Sequence, residues 1–112
     1  MRRDDELSGP LGSYPDRDEF QIGRMLVWVY YLEGEERELR LSKANAIFPA
    51  LLAEIPKVEL MASKFAGNNL YLQIIGISIK PDGIAKYTCR HEDDDESEID
   101  IIRAGDGRLM LL

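Results

Sequence analysis

The sequence predicts an α+β fold built on a strongly curled, mostly antiparallel sheet, and three observations lead to it. Turn signals divide the chain into about six to seven short segments of strand character. Only one region, around residues 43–55, has helical spacing. Three segments, 25–32, 70–79 and 108–112, are apolar on both sides of the pleat, which is more than one short helix can shield. A barrel-like or half-barrel sheet wrapped round the helix would bury them, and so would a second copy of the chain in a homodimer.

Residues 1–19 mix charges with Ser8-Gly9-Pro10-Leu11-Gly12-Ser13 and Tyr14-Pro15, breakers without hydrophobic periodicity, and are expected to be a flexible tail. Gly9 to Ser13 is also identical to a remnant that expression vectors leave after protease cleavage, so part of the tail is read as vector-derived. One domain is expected over 20–112.

Met25 to Leu32 is an unbroken β-branched and aromatic run, the strongest strand signal in the chain. Glu33-Gly34-Glu35-Glu36 reads as a turn. Arg37 to Leu41 alternates, with Leu39 and Leu41 on one face, which predicts a β-hairpin. Ser42 is the expected N-cap of a short helix over Lys43 to Glu54 with Ala44, Ile47, Leu51 and Leu52 as its stripe. Pro49 is expected to interrupt that helix and start a second short one to Ile55, and Pro56 to end the region. Val58 and Leu60 alternate with charges and suggest a third strand, so the helix falls between the second and third strands.

After a turn at Gly67-Asn68-Asn69, Leu70 to Lys80 reads as a long strand whose alternation changes phase. Leu70, Leu72 and Ile74 share one parity, while Ile75, Ile77 and Ile79 share the other. A bulge or sharp bend at Gly76 would turn both sets toward one core. Pro81-Asp82-Gly83 turns the chain into a return strand over Ile84 to Glu92. An acidic loop follows, then Ile99 to Arg103, a tight turn at Gly105-Asp106-Gly107, and a last strand over Arg108 to Leu112.

The formal net charge is -7, and its placement is informative. Glu92, Asp93, Asp94, Asp95, Glu96, Glu98 and Asp100 form a run without a base, and the remaining acids and bases balance. Such a segment repels a phosphate backbone, so direct nucleic-acid binding is disfavoured. No apolar run reaches the roughly 18 residues of a membrane-spanning helix, and acids follow the first two arginines where a secretory signal would be apolar. A cytoplasmic protein is expected. Cys89 has no cysteine to pair with and His91 is the only histidine, so no structural zinc set forms within one chain and no cofactor is indicated.

The acidic run also fails as a calcium loop. Asp93, Asp95 and Ser97 alternate as such a loop requires, but Glu98 stands where the bend needs glycine and Ala104 where a glutamate should close the site. Cys89 and His91 lie two apart on one strand face. The neighbouring acids would raise the thiol pKa, which favours a buried cysteine over a nucleophile. No serine sits in a nucleophile-elbow pattern, and neither phosphate-cradling glycine motif occurs. An enzyme using carboxylates or Cys89 is therefore the minority reading.

The leading expectation is a non-catalytic binding module that docks another protein, or itself, in the manner of an acidic inhibitor or adaptor for a basic partner. Asp93, Asp94, Asp95, Glu96 and Tyr31 are its expected contact residues. The alternative is a small-molecule-binding domain with an apolar pocket between sheet and helix, lined by Trp28, Phe48, Phe65 and Tyr87. Trp28 and Tyr30 share one strand face, and Tyr31 belongs to the other with Val27 and Val29.

Overall fold

A computed structural model describes residues 11–67 and 70–112, and the side chains of all of these except Ser13, Asp94, Asp95 and Glu96. The tail expected before residue 11 and the turn expected at Asn68-Asn69 lie outside the described residues. The described chain runs β1 (Gly12–Ser13), β2 (Arg17–Ile22), β3 (Met25–Tyr30), α1 (Arg37–Ala66), β4 (Gln73–Ile79), β5 (Ala85–His91), β6 (Asp94–Arg103) and β7 (Leu109–Leu111). Its strands form one sheet in the order of the sequence. Every neighbouring pair is antiparallel except β3 and β4, which are parallel and joined by the helix as a crossover.

The α+β class and the mostly antiparallel sheet are observed, but the barrel or half-barrel is not. β1 and β7 are opposite edges of an open sheet. The expectation failed on helix length. The helix spans 30 residues, roughly 45 Å of rise, in a molecule 46 Å in its longest dimension. One helix of that length covers a sheet face without any curling.

The expected second and third strands, at 37–41 and 58–60, are both turns of this helix, which lies between β3 and β4. Its inward stripe runs Leu41, Ala44, Phe48, Leu51, Ile55, Val58 and Ala62, alternating steps of three and four through both prolines. Ala44 and Leu51 of the expected stripe are buried, whereas Ile47 is only partly buried and Leu52 is exposed, with Phe48 taking the inward position instead. Ser42 lies inside the helix, and Glu36 occupies the N-cap without a side-chain cap bond.

Pro49 and Pro56 are exposed and seven residues apart, so they share the outer face. Each removes one backbone bond on the side where water can hydrate the freed carbonyl. Pro56→Ala restores a donor toward Leu52. Part of that gain is offset because proline restricts the unfolded chain. The unfolding free energy is expected to rise by about 1–2 kcal/mol in urea melts; a loss of stability would show that the ring packs usefully.

The phase change in β4 is resolved as the sequence indicates. The register with β5 passes from Ile74↔Cys89 to Gly76↔Thr88, leaving Ile75 as an extra, bulged residue. Leu72, Ile74, Ile77 and Ile79 are consequently all buried. Residues 11–19, expected as tail, instead build β1 and begin β2, with Gly12↔Glu19 and Asp18↔Val29 in register. The strand was hidden by its charges: Phe20 and Ile22 alternate with polar residues, and the third inward position is Asp18, which is 4% exposed. Gly23 makes the β2–β3 turn with φ 59°, a conformation that side-chain-bearing residues adopt rarely.

Three polar ties fix the helix on the sheet. Glu54, at its middle, accepts Arg103 Nε at 2.8 Å and the hydroxyl of fully buried Tyr87 at 2.9 Å. Near its C-terminal end, Glu59 Oε2 accepts the Ile74 N–H and Ser63 Oγ the Leu72 N–H. β4 begins ahead of its register with β3, which starts at Leu26↔Gly76. Helix side chains thus supply acceptors where a strand does not. At the N-terminal end, Arg40 donates to the carbonyls of Tyr14 and Pro15 and lies 3.8 Å from Asp18.

Candidate docking site

The acidic run is an element of the sheet rather than a loop. His91 faces Asp94 across a two-residue turn, Glu92-Asp93, and β6 starts at Asp94. Register then slips, so β6 advances from Asp94 to Ile99 while β5 moves only from His91 to Cys89. This slack lets one strand carry the surplus acids past its partner. The calcium-type frame considered from Asp93 therefore runs along a strand rather than a loop.

The same end of the sheet holds the β2–β3 turn and the last turn of the helix. Arg24 Nη1 donates to Glu92 Oε1 at 3.1 Å, with both side chains largely in solvent, so the pair contributes little to stability. Arg90 approaches Glu98 at 3.4 Å. Asp93 donates its backbone N–H to His91 Nδ1.

Beside this acidic stretch, where β7 ends, lies a cavity of about 340 Å³ lined by Phe65, Glu98, Ile99, Asp100, Leu111 and Leu112. Leu112 makes the last bond of the β6–β7 ladder, its N–H donating to the Asp100 carbonyl at 3.0 Å. Phe65 is 52% exposed, and Leu111 and Leu112 are exposed too, an apolar group bordered by carboxylates. Asp100 Oδ1 is shielded from solvent and has no donor among the described residues. An apolar centre with a charged rim is the arrangement of protein-docking surfaces.

The other expected site residues lie elsewhere. Tyr31, expected on a contact surface, is 6% exposed; its hydroxyl donates to the Arg40 carbonyl and the Arg40 guanidinium covers its ring. Its strand parity turns it toward the helix with Val27 and Val29, as the sequence indicates. Burial, with Asp18 adding its charge, pushes its hydroxyl pKa well above the ordinary tyrosine value. The side chains of Asp94, Asp95 and Glu96 lie outside the described residues.

Trp28, Phe48, Phe65 and Tyr87 do not line one pocket. Phe48 and Tyr87 fill the space between helix and sheet. Phe65 belongs to the cavity above. Trp28 occupies the helix-free face, 5.8 Å from Tyr14, with the Arg17 guanidinium over its ring. The four failed as a set because a strand sends alternate residues to opposite faces, and the space between the layers is filled by side chains.

Cys89 is fully buried, and its thiol is pushed up to about 12 by burial, then by the charges of Glu59 and Asp100. It is a packed core side chain. Leu111 and Leu112 are the exposed cavity residues that sequence reasoning missed as a candidate site. Their only signal is an apolar pair on a short last strand, which reads equally well as core.

No protein-family model, curated protein or solved structure matches the chain. Among the described residues, no helix is long and apolar enough to cross a membrane.

Proposed function

We propose that this chain is a binding module that docks another protein through the acidic end of its sheet, and that the partner presents lysine or arginine among apolar residues. The observation that carries this reading is the cavity in which exposed Phe65, Leu111 and Leu112 meet Glu98 and Asp100 beside the Glu92-Asp93 turn. Apolar burial there supplies affinity, while the surplus acids accelerate encounter with a basic surface. An inhibitor or adaptor would use such a patch.

The test is affinity isolation with the immobilised full chain, with partner retention measured against salt. Phe65→Ala is expected to weaken retention about tenfold through lost apolar contact. The combined Asp93→Asn, Asp94→Asn, Asp95→Asn and Glu96→Gln variant is expected to weaken it similarly and to flatten the salt dependence. Phe65 is exposed, so its change removes no core packing, and an unchanged urea melt serves as the folding control for the combined variant. Retention that ignores both variants would reject the reading, and so would a second copy of the chain as the sole captured species.

A further inference from the structure

At the opposite end of the molecule, where parallel β3 and β4 finish and the chain crosses to the helix, lies a second cavity of about 260 Å³. The buried part of its wall is apolar. Val29 and Ile79, from the ends of the two strands, are 4% and 6% exposed, and partly buried Ile47 faces them from the helix. The rim reaches solvent at Leu32 and Ala46. The volume falls just below the ~300–1,000 Å³ of drug-sized pockets, so an occupant is small.

Three charged side chains line this cavity, Glu35, Lys43 and Lys80, two cations against one anion. Glu35 is 10% exposed and its Oε1 takes the Lys43 ammonium, so these two balance each other. Lys80 has no such balance. Its ammonium lies 3.8 Å from the centre of the Tyr30 ring, and among the described residues no carboxylate comes within ion-pair distance of it. An aromatic face holds a cation without cancelling its charge. The turn after β4 fixes the Lys80 backbone, which donates its N–H to the Ile84 carbonyl at 2.9 Å and accepts the Gly83 N–H at 3.0 Å.

An apolar wall with one surplus positive charge at a solvated rim selects its ligand by charge. An aliphatic amine would bring a third ammonium to the rim. A zwitterion would set its own ammonium among the two lysines. A doubly charged head group exceeds the surplus and adds repulsion from Glu35. A neutral molecule would cover the apolar wall and leave Lys80 without an anion. One carboxylate on an aliphatic chain meets both demands, because the chain leaves water while the head stays in it. We infer that this cavity binds a small aliphatic monocarboxylate, its chain against Val29, Ile47 and Ile79 and its carboxylate at the Lys80 rim.

Calorimetric titration of the full chain at low ionic strength tests this with octanoate, 1-octanol and octylamine. Saturable binding of octanoate at millimolar concentration or below is expected. Octylamine should bind at least tenfold more weakly, about 1.4 kcal/mol. Octanol should bind about threefold more weakly, the scale of one ion pair in contact with water.

Lys80→Gln is expected to erase the preference for octanoate over octanol. Ala46→Phe, which fills the cavity from an exposed helix position, is expected to abolish binding of all three. Lys80 and Ala46 are both exposed, so neither change removes core packing, and urea melts of the variants check that they fold. Octylamine or octanol binding as tightly as octanoate would overturn the inference. So would an octanoate preference that survives Lys80→Gln, binding indifferent to Ala46→Phe, or no saturable binding of octanoate. The site is remote from the acidic end, so the outcome is independent of partner docking.

Discussion

Ile77→Ala is expected to lower the unfolding free energy by about 3–4 kcal/mol, within the range for deleting most of a large aliphatic side chain from a packed core. Ile77 is 1% exposed, lies mid-sheet, and faces Val27 on one neighbour and Tyr87 on the other. Nothing near it can collapse cheaply, because both flanking strands hold their register there. For a domain stable by about 5–15 kcal/mol, such a loss moves the urea midpoint substantially with little change in slope. Ile84→Ala is the control: Ile84 is 39% exposed and its loss should cost less than about 1 kcal/mol. Equal costs at the two positions would mean that Ile77 does not face the helix, which would remove the bulge at Ile75.

Cys89 is expected to be nearly inert toward iodoacetamide in the folded protein. With the thiol raised from 9.0 to about 12, the thiolate at about pH 8 falls roughly a thousandfold, and burial bars the reagent as well. Labelling in concentrated urea should run at the ordinary thiol rate. The same shift destabilises the fold in alkali. Below pH 9 both folded and unfolded thiols are protonated, so the contribution of Cys89 to stability is complete. As pH rises from 9 toward 12, the unfolded chain releases its proton first and that stability is lost.

Tyr31 and Tyr87 act in the same direction above their ordinary 10.0, Tyr31 through burial and Asp18, Tyr87 through burial and its bond to Glu54. The unfolding free energy should therefore decline steadily above about pH 9. A folded protein that labels at the unfolded rate, or stability that stays level into strong alkali, would contradict the burial of these groups.

What could be read in advance followed from local chemistry. The runs 25–30, 73–79, 85–91 and 109–111 carry β-branched or alternating residues, and each forms a strand. The parity shift around Gly76 marked the bulge because only an extra residue can turn Leu72 and Ile77 to the same face. Cys89 was expected to be buried and is, on the same strand face as Ala85 and Tyr87. Arg17 to Ile22 was illegible because a buried aspartate in its pattern resembles a solvated surface until Arg40 is placed beside it. The long helix was obscured because residues 37–41 and 57–60 alternate over stretches too short to separate a period of two from 3.6. Its prolines read as breaks when nothing showed that both face solvent.

The amino-acid order by itself determined the class, the bulge, the acid-rich segment and the strand faces, since each depends on neighbours within a few residues. Only the tertiary structure decided that one long helix covers an open sheet, that Phe65 meets Leu111 and Leu112 at the acidic end, and that Glu54 holds both Tyr87 and Arg103. Those arrangements join residues far apart in the chain, and the packing free energy that selects them is a property of the assembled layers rather than of any segment.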